Sequence, residues 1–142
     1  MSLLSAVQTY IKTYTPLASA SAPVFVDALG YEPNQYAIVP LPGEPFVEKY
    51  LDGSSTRQFS FAFQSTEATV DDAERLGNNE FYESFSAWME SQTNAGVLPA
   101  LGTGKTAETI EAVNAGYLFQ QGESGTAVYQ ITCRLQYSQV AP

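Results

Sequence analysis

Strict alternation of apolar and polar residues marks two segments of the chain as strands. In the first, Phe59, Phe61 and Phe63 share one face, and polar or small residues fill the other. Residues 129–137 alternate in the same way, with Tyr129 and Tyr137 at the two ends of the apolar set. A two-residue period is typical of a sheet with one buried and one wetter face. The sequence therefore predicts two sheet strands, each with one apolar face.

Apolar residues in two other segments recur at helical spacing. Residues 2–14 form a short amphipathic pattern that Ser2 can cap, and we expect Pro16 to end this helix. Residues 70–94 predict a longer helix, with a break expected near 77–79 and a left-handed cap at Gly96. Its aromatic residues lie at i, i+4 and i+7 and form one stripe, made of Phe81, Phe85 and Trp88.

The remaining segments predict short strands joined by turns. The segment 17–23 is rich in Ser and Ala and is interpreted as a connector. Strands are expected at 24–26, 36–39, 46–51, 106–113, 115–120 and 126–137. Turn chemistry stands at Gly30–Asn34, Asp52–Ser55 and Gly122–Gly125. Tight turns make their strands antiparallel. We therefore predict one α+β domain over residues 1–142, with an antiparallel or mixed sheet and two main helices packed on one face.

The charge balance argues against nucleic-acid binding. Fifteen acidic residues oppose six basic ones, which gives a formal charge of −9. The basic residues are scattered and form no patch: Lys12, Lys49, Arg57, Arg75, Lys105 and Arg134. Such a surface repels phosphate backbones and anionic membranes. It suits a crowded assembly that must stay in solution, or a channel through which DNA slides without sticking.

Composition excludes the catalytic arrangements that depend on histidine, whereas a pair of catalytic carboxylates is not excluded by spacing, although no residues point to one. The chain contains no His, so a Ser-His-Asp or Cys-His arrangement cannot form. Cys133 is the one cysteine and lies on the apolar face of its predicted strand, where we expect it to act as a small hydrophobic residue. The chain shows no signal peptide and no apolar run of about twenty residues, so we expect a cytoplasm-like environment before assembly. No catalytic, cofactor-binding or metal-binding residues are predicted.

The string Gly102-Thr103-Gly104-Lys105-Thr106 ends like a phosphate-binding loop. The full pattern needs a Gly five positions before Gly104, and Pro99 stands there. A strand-like segment also follows the string, where the phosphate-binding motif requires a helix. We therefore interpret these residues as a glycine-rich loop between a helix and a strand.

Two other residue sets have a structural and a functional interpretation. Asp71, Asp72 and Glu74 could hold a divalent cation, but they also suit the positive end of the helix that follows. The aromatic sets of the strand and the long helix could form a ligand platform, but their periods match core packing. In both cases we favour the structural interpretation.

Several separate blocks of sequence together carry a likeness to a known family: EPFVEKYLDGS at 44–54, RQFSFAF at 57–63, FYESF at 81–85, WME at 88–90, GVLP at 96–99, GKTA at 104–107, GYLF at 116–119 and YQITCRL at 129–135. They resemble a small protein family encoded in tail-gene clusters of phages and prophages of Gram-positive bacteria, whose members are labelled minor tail or minor capsid proteins. The resemblance covers roughly residues 36–137. The layout also resembles tail terminator proteins of long-tailed phages.

This resemblance implies a structural virion protein without catalytic residues. Tail terminators are α+β domains that form a hexameric ring at the head-proximal end of the tail tube and join the tail to the head connector. The expected partners are thus further copies of the chain, the tail tube protein and the head connector, with genomic DNA passing through the lumen. The alternatives are another head–tail connector, a tail tube or minor capsid component, or a small-ligand-binding domain.

Exposed loops are the expected contact elements of such a ring. They comprise Pro40–Pro45, Asp52–Thr56 and Leu98–Lys105. We further expect Lys49, Arg57 and Lys105 to pair with acidic residues of a neighbouring subunit.

Overall fold

The computed structural model describes residues 2–20, 24–26, 35–69, 71–121 and 125–141. Its fold is built around a pair of long strands. The helices are α1 (Leu3–Ile11), α2 (Thr15–Ala20) and α3 (Asp72–Ala95). The strands are β1 (Val24–Val26), β2 (Gln35–Pro40), β3 (Phe46–Lys49), β4 (Ser55–Ala68), β5 (Lys105–Ala112), β6 (Tyr117–Gln121) and β7 (Thr126–Gln139).

The described strands form one mixed sheet in the order β1-β2-β4-β7-β5. β3 lies beside β4 on the same side as β2, and β6 lies beside β7 on the same side as β5. β1 pairs with β2 in parallel, and the other pairs are antiparallel. The predicted α+β class with a mixed sheet is confirmed.

β4 and β7 form the centre of the sheet. Each has 14 residues, and they pair without interruption from Ser55–Gln139 to Ala68–Thr126. At about 3.4 Å per residue this ladder is about 45 Å long. The predicted alternation is confirmed, because Phe61 is paired with Cys133 and all the side chains of that face point into the core.

The helices α1 and α3 cover this apolar face. The ring of Phe63 in β4 stacks on Phe85 of α3 at a centroid distance of 4.5 Å, and both side chains are fully buried. Tyr14, just after α1, contacts Phe85 and Trp88 at 5.3 and 5.1 Å. Burying a Phe side chain contributes about 1.5–3 kcal/mol, so these aromatic contacts fix the helices on the sheet.

The first helical segment differs from its prediction. α1 ends at Ile11, with Lys12 as its C-cap, and α2 begins at Thr15. Pro16 therefore does not terminate a helix; it lies in the first turn of the next one, where the missing N–H costs nothing. The expected connector 17–23 is helical up to Ala20.

The expected break in α3 near 77–79 is also absent, since α3 is continuous from Asp72 to Ala95. Asn78 is buried and donates to the carbonyl of Ala68 at 2.9 Å, so the sheet holds the helix at this point. Gly96 caps α3 with φ 74°, as predicted. The strands that were predicted with bounds differ from them by at most two residues at either end, whereas β4 extends on both sides of the alternating residues 59–63. The turn 30–34 and most of 122–125 lie outside the described residues.

Candidate functional site

Two of the three predicted contact loops meet at one end of the sheet, beside the end of β7. The backbone N–H of Val140 donates to the carbonyl of Gly104 at 2.9 Å. A Cβ on Gly53 would lie 3.1 Å from the Cβ of Ala141. We call this region, residues 50–54, 102–105 and 140–141, the contact end. The third loop, Pro40–Pro45, instead follows the side of β4 between β2 and β3.

Exposed apolar side chains mark the contact end. Tyr50, Leu51 and Val140 are all exposed, and Leu51 has no cover at all from described residues. The turn itself is ordered by Asp52, whose carboxylate accepts from the N–H and the hydroxyl of Ser54. These hydrogen bonds lower the pKa of Asp52. These hydrogen bonds hold the turn in a defined conformation that exposes its apolar side chains.

The three cations predicted to contact a neighbour lie at or next to the contact end. Lys49 and Arg57 both lie over the ring of Phe46, at 4.2 and 4.4 Å from its centroid. Lys105 begins β5 and is paired with Gln139 in the sheet. Cation–π contacts hold a side chain in place while its charge remains available to a partner.

The glycine-rich string does not form a phosphate-binding loop. Gly102 and Gly104 have φ values of 94° and 81°, which favour glycine, and β5 starts at Lys105. A phosphate-binding loop leads into a helix, whose N-terminus holds the anion. The structure supports the interpretation of a turn between α3 and β5.

Asp71, one of the three acidic residues at the start of α3, has a structural role. Asp71 is the N-cap of the helix, and its carboxylate accepts from the N–H of Glu74 at 2.8 Å. The side chain of Asp72 lies outside the described residues. Among the described residues, no group of three His, Cys, Asp or Glu side chains is arranged to hold a metal ion.

Cys133 and the two aromatic sets belong to the core. Cys133 is fully buried, and burial raises the pKa of its thiol far above the ordinary value. Phe61, Phe63 and Phe85 are fully buried, whereas Phe59 and Trp88 are partly buried against them. The structural interpretation of these residues is supported.

Strand β6 is a feature whose exposure the sequence pattern did not predict. Tyr117, Leu118 and Phe119 are 40%, 41% and 50% exposed, and every residue of β6 is exposed. β6 pairs with β7 on one side, and no described strand lies on its other side. Three adjacent apolar residues without alternation are typical of a strand buried on both faces, so the local pattern favoured burial and gave no signal of this exposure.

A buried carboxyl group was also missed. Glu67 is 9% exposed, and its Oε1 has no hydrogen-bond partner. Desolvation raises its pKa to about 7, against a weaker opposing effect of a hydrogen bond with Ser65. Ser65 Oγ lies 2.6 Å from the hydroxyl of Tyr82, which donates to the carbonyl of Tyr129 at 3.1 Å. A polar chain thus crosses the aromatic core.

The face of the sheet away from the helices is polar and almost uncharged. Gln64 donates to Gln130 across β4 and β7 at 2.7 Å, and Gln130 donates to the hydroxyl of Tyr117 at 2.9 Å. The ion pair on this face joins Arg134 to Glu111. Amides and hydroxyls therefore dominate this surface.

No protein-family model matches the sequence, and no curated protein matches it at a significant level. None of the described helices combines the length and the apolar character needed to cross a membrane. The arrangement that the geometry offers is a scaffold with exposed apolar and charged groups at one end and, at one side, a strand that no other described residue covers.

Proposed function

We propose that the protein is a structural component of a phage tail, a tail terminator that forms a ring at the head-proximal end of the tail tube and joins the tail to the head. The sequence blocks that resemble tail proteins of phages infecting Gram-positive bacteria support this role. The protein works by binding other proteins and catalyses no reaction. It acts in the virion after synthesis in the host cytoplasm.

The observation that carries the proposal is the contact end. Separate loops converge there and expose apolar and cationic side chains together. In a protein that works as a monomer, exposed apolar side chains are usually scattered singly. Loops on a rigid scaffold are the usual carriers of protein contacts. The end thus suits docking to the tail tube or to a neighbouring subunit.

Cations at or near the contact end would find acidic partners on α3 of a second copy. Lys49, Arg57 and Lys105 are at or near the contact end, whereas the outer side of α3 presents exposed acidic residues, Glu80, Glu83 and Glu90. Contact between the cations of one subunit and the acids of the next is heterologous. Such a contact closes into a ring when its rotation permits.

The residues that could suggest chemistry have structural duties instead. Cys133 fills the core, Asp71 caps a helix, and Gly102 and Gly104 form a turn. An open groove between α3 and β5, lined by polar groups including Glu90 and Glu111, is the place where the alternative of a small-ligand-binding domain would be tested.

The direct test is tail assembly with and without the protein. Particles that lack a terminator are expected to carry overlong tails, because the tube continues to grow. Normal tails on particles whose heads stay free would indicate a connector, and normal virions would contradict a structural role. Adding purified protein to polymerising tube subunits should shorten the tubes.

Charge variants test the role of the contact end. Lys49→Glu and Lys105→Glu, each made singly, should impair ring formation and tube capping, because like charges would face α3 of the neighbour. Lys12→Glu, an exposed cation at the end of α1, makes the same kind of charge change elsewhere and should leave both unchanged. Equal effects of all three changes would show that only net charge matters.

A further inference from the structure

Two cations contact a single aromatic ring, that of Phe46 in β3. The Nζ of Lys49 lies 4.2 Å from the ring centroid, and the Cζ of Arg57 in β4 lies 4.4 Å from it. The two charged groups are therefore at most about 9 Å apart, which is within the Debye length of about 10 Å at 0.1 M salt. Like charges this close repel each other, so the negative face of the ring offsets the repulsion that would drive these side chains apart.

The guanidinium group of Arg57 is held at a second point. Its Nε donates to Oγ of Ser55 at 3.0 Å, and Ser55 is buried at the start of β4. Phe46 is paired with Arg57 across β3 and β4, so the ring and the hydroxyl hold the same side chain from two strands. No described residue accepts a hydrogen bond from the terminal nitrogens of Arg57, which are therefore available to a partner.

The charges of Lys49 and Arg57 are not neutralised by the described residues around them. Neither side chain forms an ion pair with a described acidic residue, although the chain has fifteen acidic residues. Glu48, next to Lys49, accepts instead from the hydroxyl of Tyr50 at 3.2 Å. Lys105 is also unpaired among the described residues, but none of them holds it with a ring or a side-chain hydrogen bond. Lys49 and Arg57 are thus ordered without losing their charge.

We propose that Phe46 and Ser55 are positioning residues that fix Arg57, so that Arg57 recognises a carboxylate of a partner protein by geometry as well as by charge. The two terminal nitrogens of a guanidinium match the two oxygens of a carboxylate, whereas an ammonium group acts as a point charge. A side chain that is already fixed loses less freedom on binding. A phosphate group has a similar geometry, but the formal charge of −9 repels nucleic acid and favours a protein carboxylate as the ligand.

The inference deepens the proposed function and rests on it for the partner. In that function, exposed glutamates on α3 of a neighbouring subunit are the carboxylates that these cations meet. The arrangement of Phe46, Ser55 and Arg57 within one chain does not depend on that role, so the arrangement and the role are measured separately.

The proton NMR spectrum of the dilute protein tests the arrangement alone. Protons that lie over an aromatic face are shifted upfield, so the Hε protons of Lys49 and the Hδ protons of Arg57 should be shifted in this direction. Phe46→Leu should return both to their ordinary positions and leave the protons of Lys12, an exposed cation at the end of α1, unchanged. Ordinary positions of both sets in the wild-type protein would overturn the proposal.

Arg57→Lys separates geometry from charge, because it keeps the positive charge and removes the bidentate donor. It should weaken ring association, measured by light scattering over a range of protein concentrations, by about fivefold or more. Arg134→Lys makes the same chemical change on the polar face of the sheet and should leave association unchanged. If Arg57→Lys protein associates as the wild-type protein does, charge alone suffices and recognition by geometry is wrong.

Substitutions that keep every charge test the positioning residues. Phe46→Leu removes the ring, and Ser55→Ala removes the acceptor for Nε of Arg57. Each should weaken ring association by about twofold to fivefold, whereas the conservative changes Phe46→Tyr and Ser55→Thr should not. Urea unfolding of each variant verifies that the protein compared is folded. Full association of the Phe46→Leu and Ser55→Ala proteins would contradict the positioning role.

The outcomes distinguish the inference from the function on which it rests. If rings form and cap tubes while Arg57→Lys has no effect, the terminator role stands and the recognition assigned to Arg57 is wrong. If the upfield shifts are present but the wild-type protein forms no rings and caps no tubes, the terminator role is wrong, and with it the partner assigned to Arg57. Rings that weaken with Arg57→Lys and not with Arg134→Lys support both.

Discussion

Replacing Glu67 by Gln should change how stability depends on pH. Glu67 lies in the core beside Ser65, and its carboxyl is largely removed from water. Gln has nearly the same shape and can donate to Ser65, but it does not ionise. The substitution therefore removes the cost of a buried charge without opening a cavity.

The magnitude follows from the pKa of this group. It is about 7 in the folded protein against an ordinary value of 4.5, and each unit corresponds to about 1.4 kcal/mol. Because the folded state holds the proton more tightly, this group costs stability as pH rises above 4.5, and the loss levels off above about 7. Between about pH 5 and about pH 8 the loss amounts to roughly 2–3 kcal/mol.

The hydrogen bonds around Glu67 also favour its protonated form. When Glu67 is protonated, its carboxyl can donate to Ser65, Ser65 can donate to Tyr82, and Tyr82 donates to the carbonyl of Tyr129. Each hydrogen bond of this chain then has its own proton. When Glu67 ionises, Ser65 must donate to it, and Tyr82 then has one proton for two acceptors. Tyr36 and Tyr82 also feel the charge, since Glu67 contributes to raising the pKa of both.

Urea unfolding followed by Trp88 fluorescence measures the effect. We expect Glu67→Gln to gain stability relative to wild type by roughly 2–3 kcal/mol between about pH 5 and about pH 8. Glu83→Gln, at an exposed position on α3, serves as the control, and its difference in stability from wild type should stay constant over this pH range. A constant difference between Glu67→Gln and wild type across this range would refute the account of Glu67 as a carboxyl that resists ionisation.

Two further predictions concern packing against α3. Gly116→Ala should lower the free energy of unfolding by about 1–3 kcal/mol in urea, because its Cβ would overlap the Cβ of Tyr82. Gly77→Ala has open space around it and should stabilise α3 by about 0.5–1 kcal/mol. A less stable Gly77→Ala protein than Gly116→Ala protein would contradict this packing. Thr93→Val should cost about 1–3 kcal/mol, since the N–H and carbonyl of Ile110 lose their partner; no change in unfolding midpoint would exclude this role.

The parts of the fold that periodicity could predict are those in which local pattern and tertiary burial agree. The alternation through Phe61 in β4 and Cys133 in β7 assigns each side chain to a face, and a slip of one residue would expose the whole set. The aromatic stripe of α3 located the helix for the same reason. These segments set the sheet and the layer on it.

The errors arise where contacts distant in sequence decide the outcome. Pro16 can end a helix or begin one, and only the packing around α2 selects the second. Gly77 and Asn79 suggested a break, but the bond from Asn78 to Ala68 holds α3 intact. The exposure of β6 and the burial of Glu67 depend on which elements cover them, and no local pattern records that.

The charge of the proposed ring contact makes that contact sensitive to salt. Pairing of Lys49 and Lys105 with acids on α3 is electrostatic at an exposed site, so it weakens as the Debye length falls from about 10 Å at 0.1 M to about 3 Å at 1 M salt. Raising the salt concentration should therefore dissociate rings that form at low salt, which light scattering would detect as a fall in mass. Rings that persist unchanged in 1 M salt would contradict an ion-paired contact between subunits.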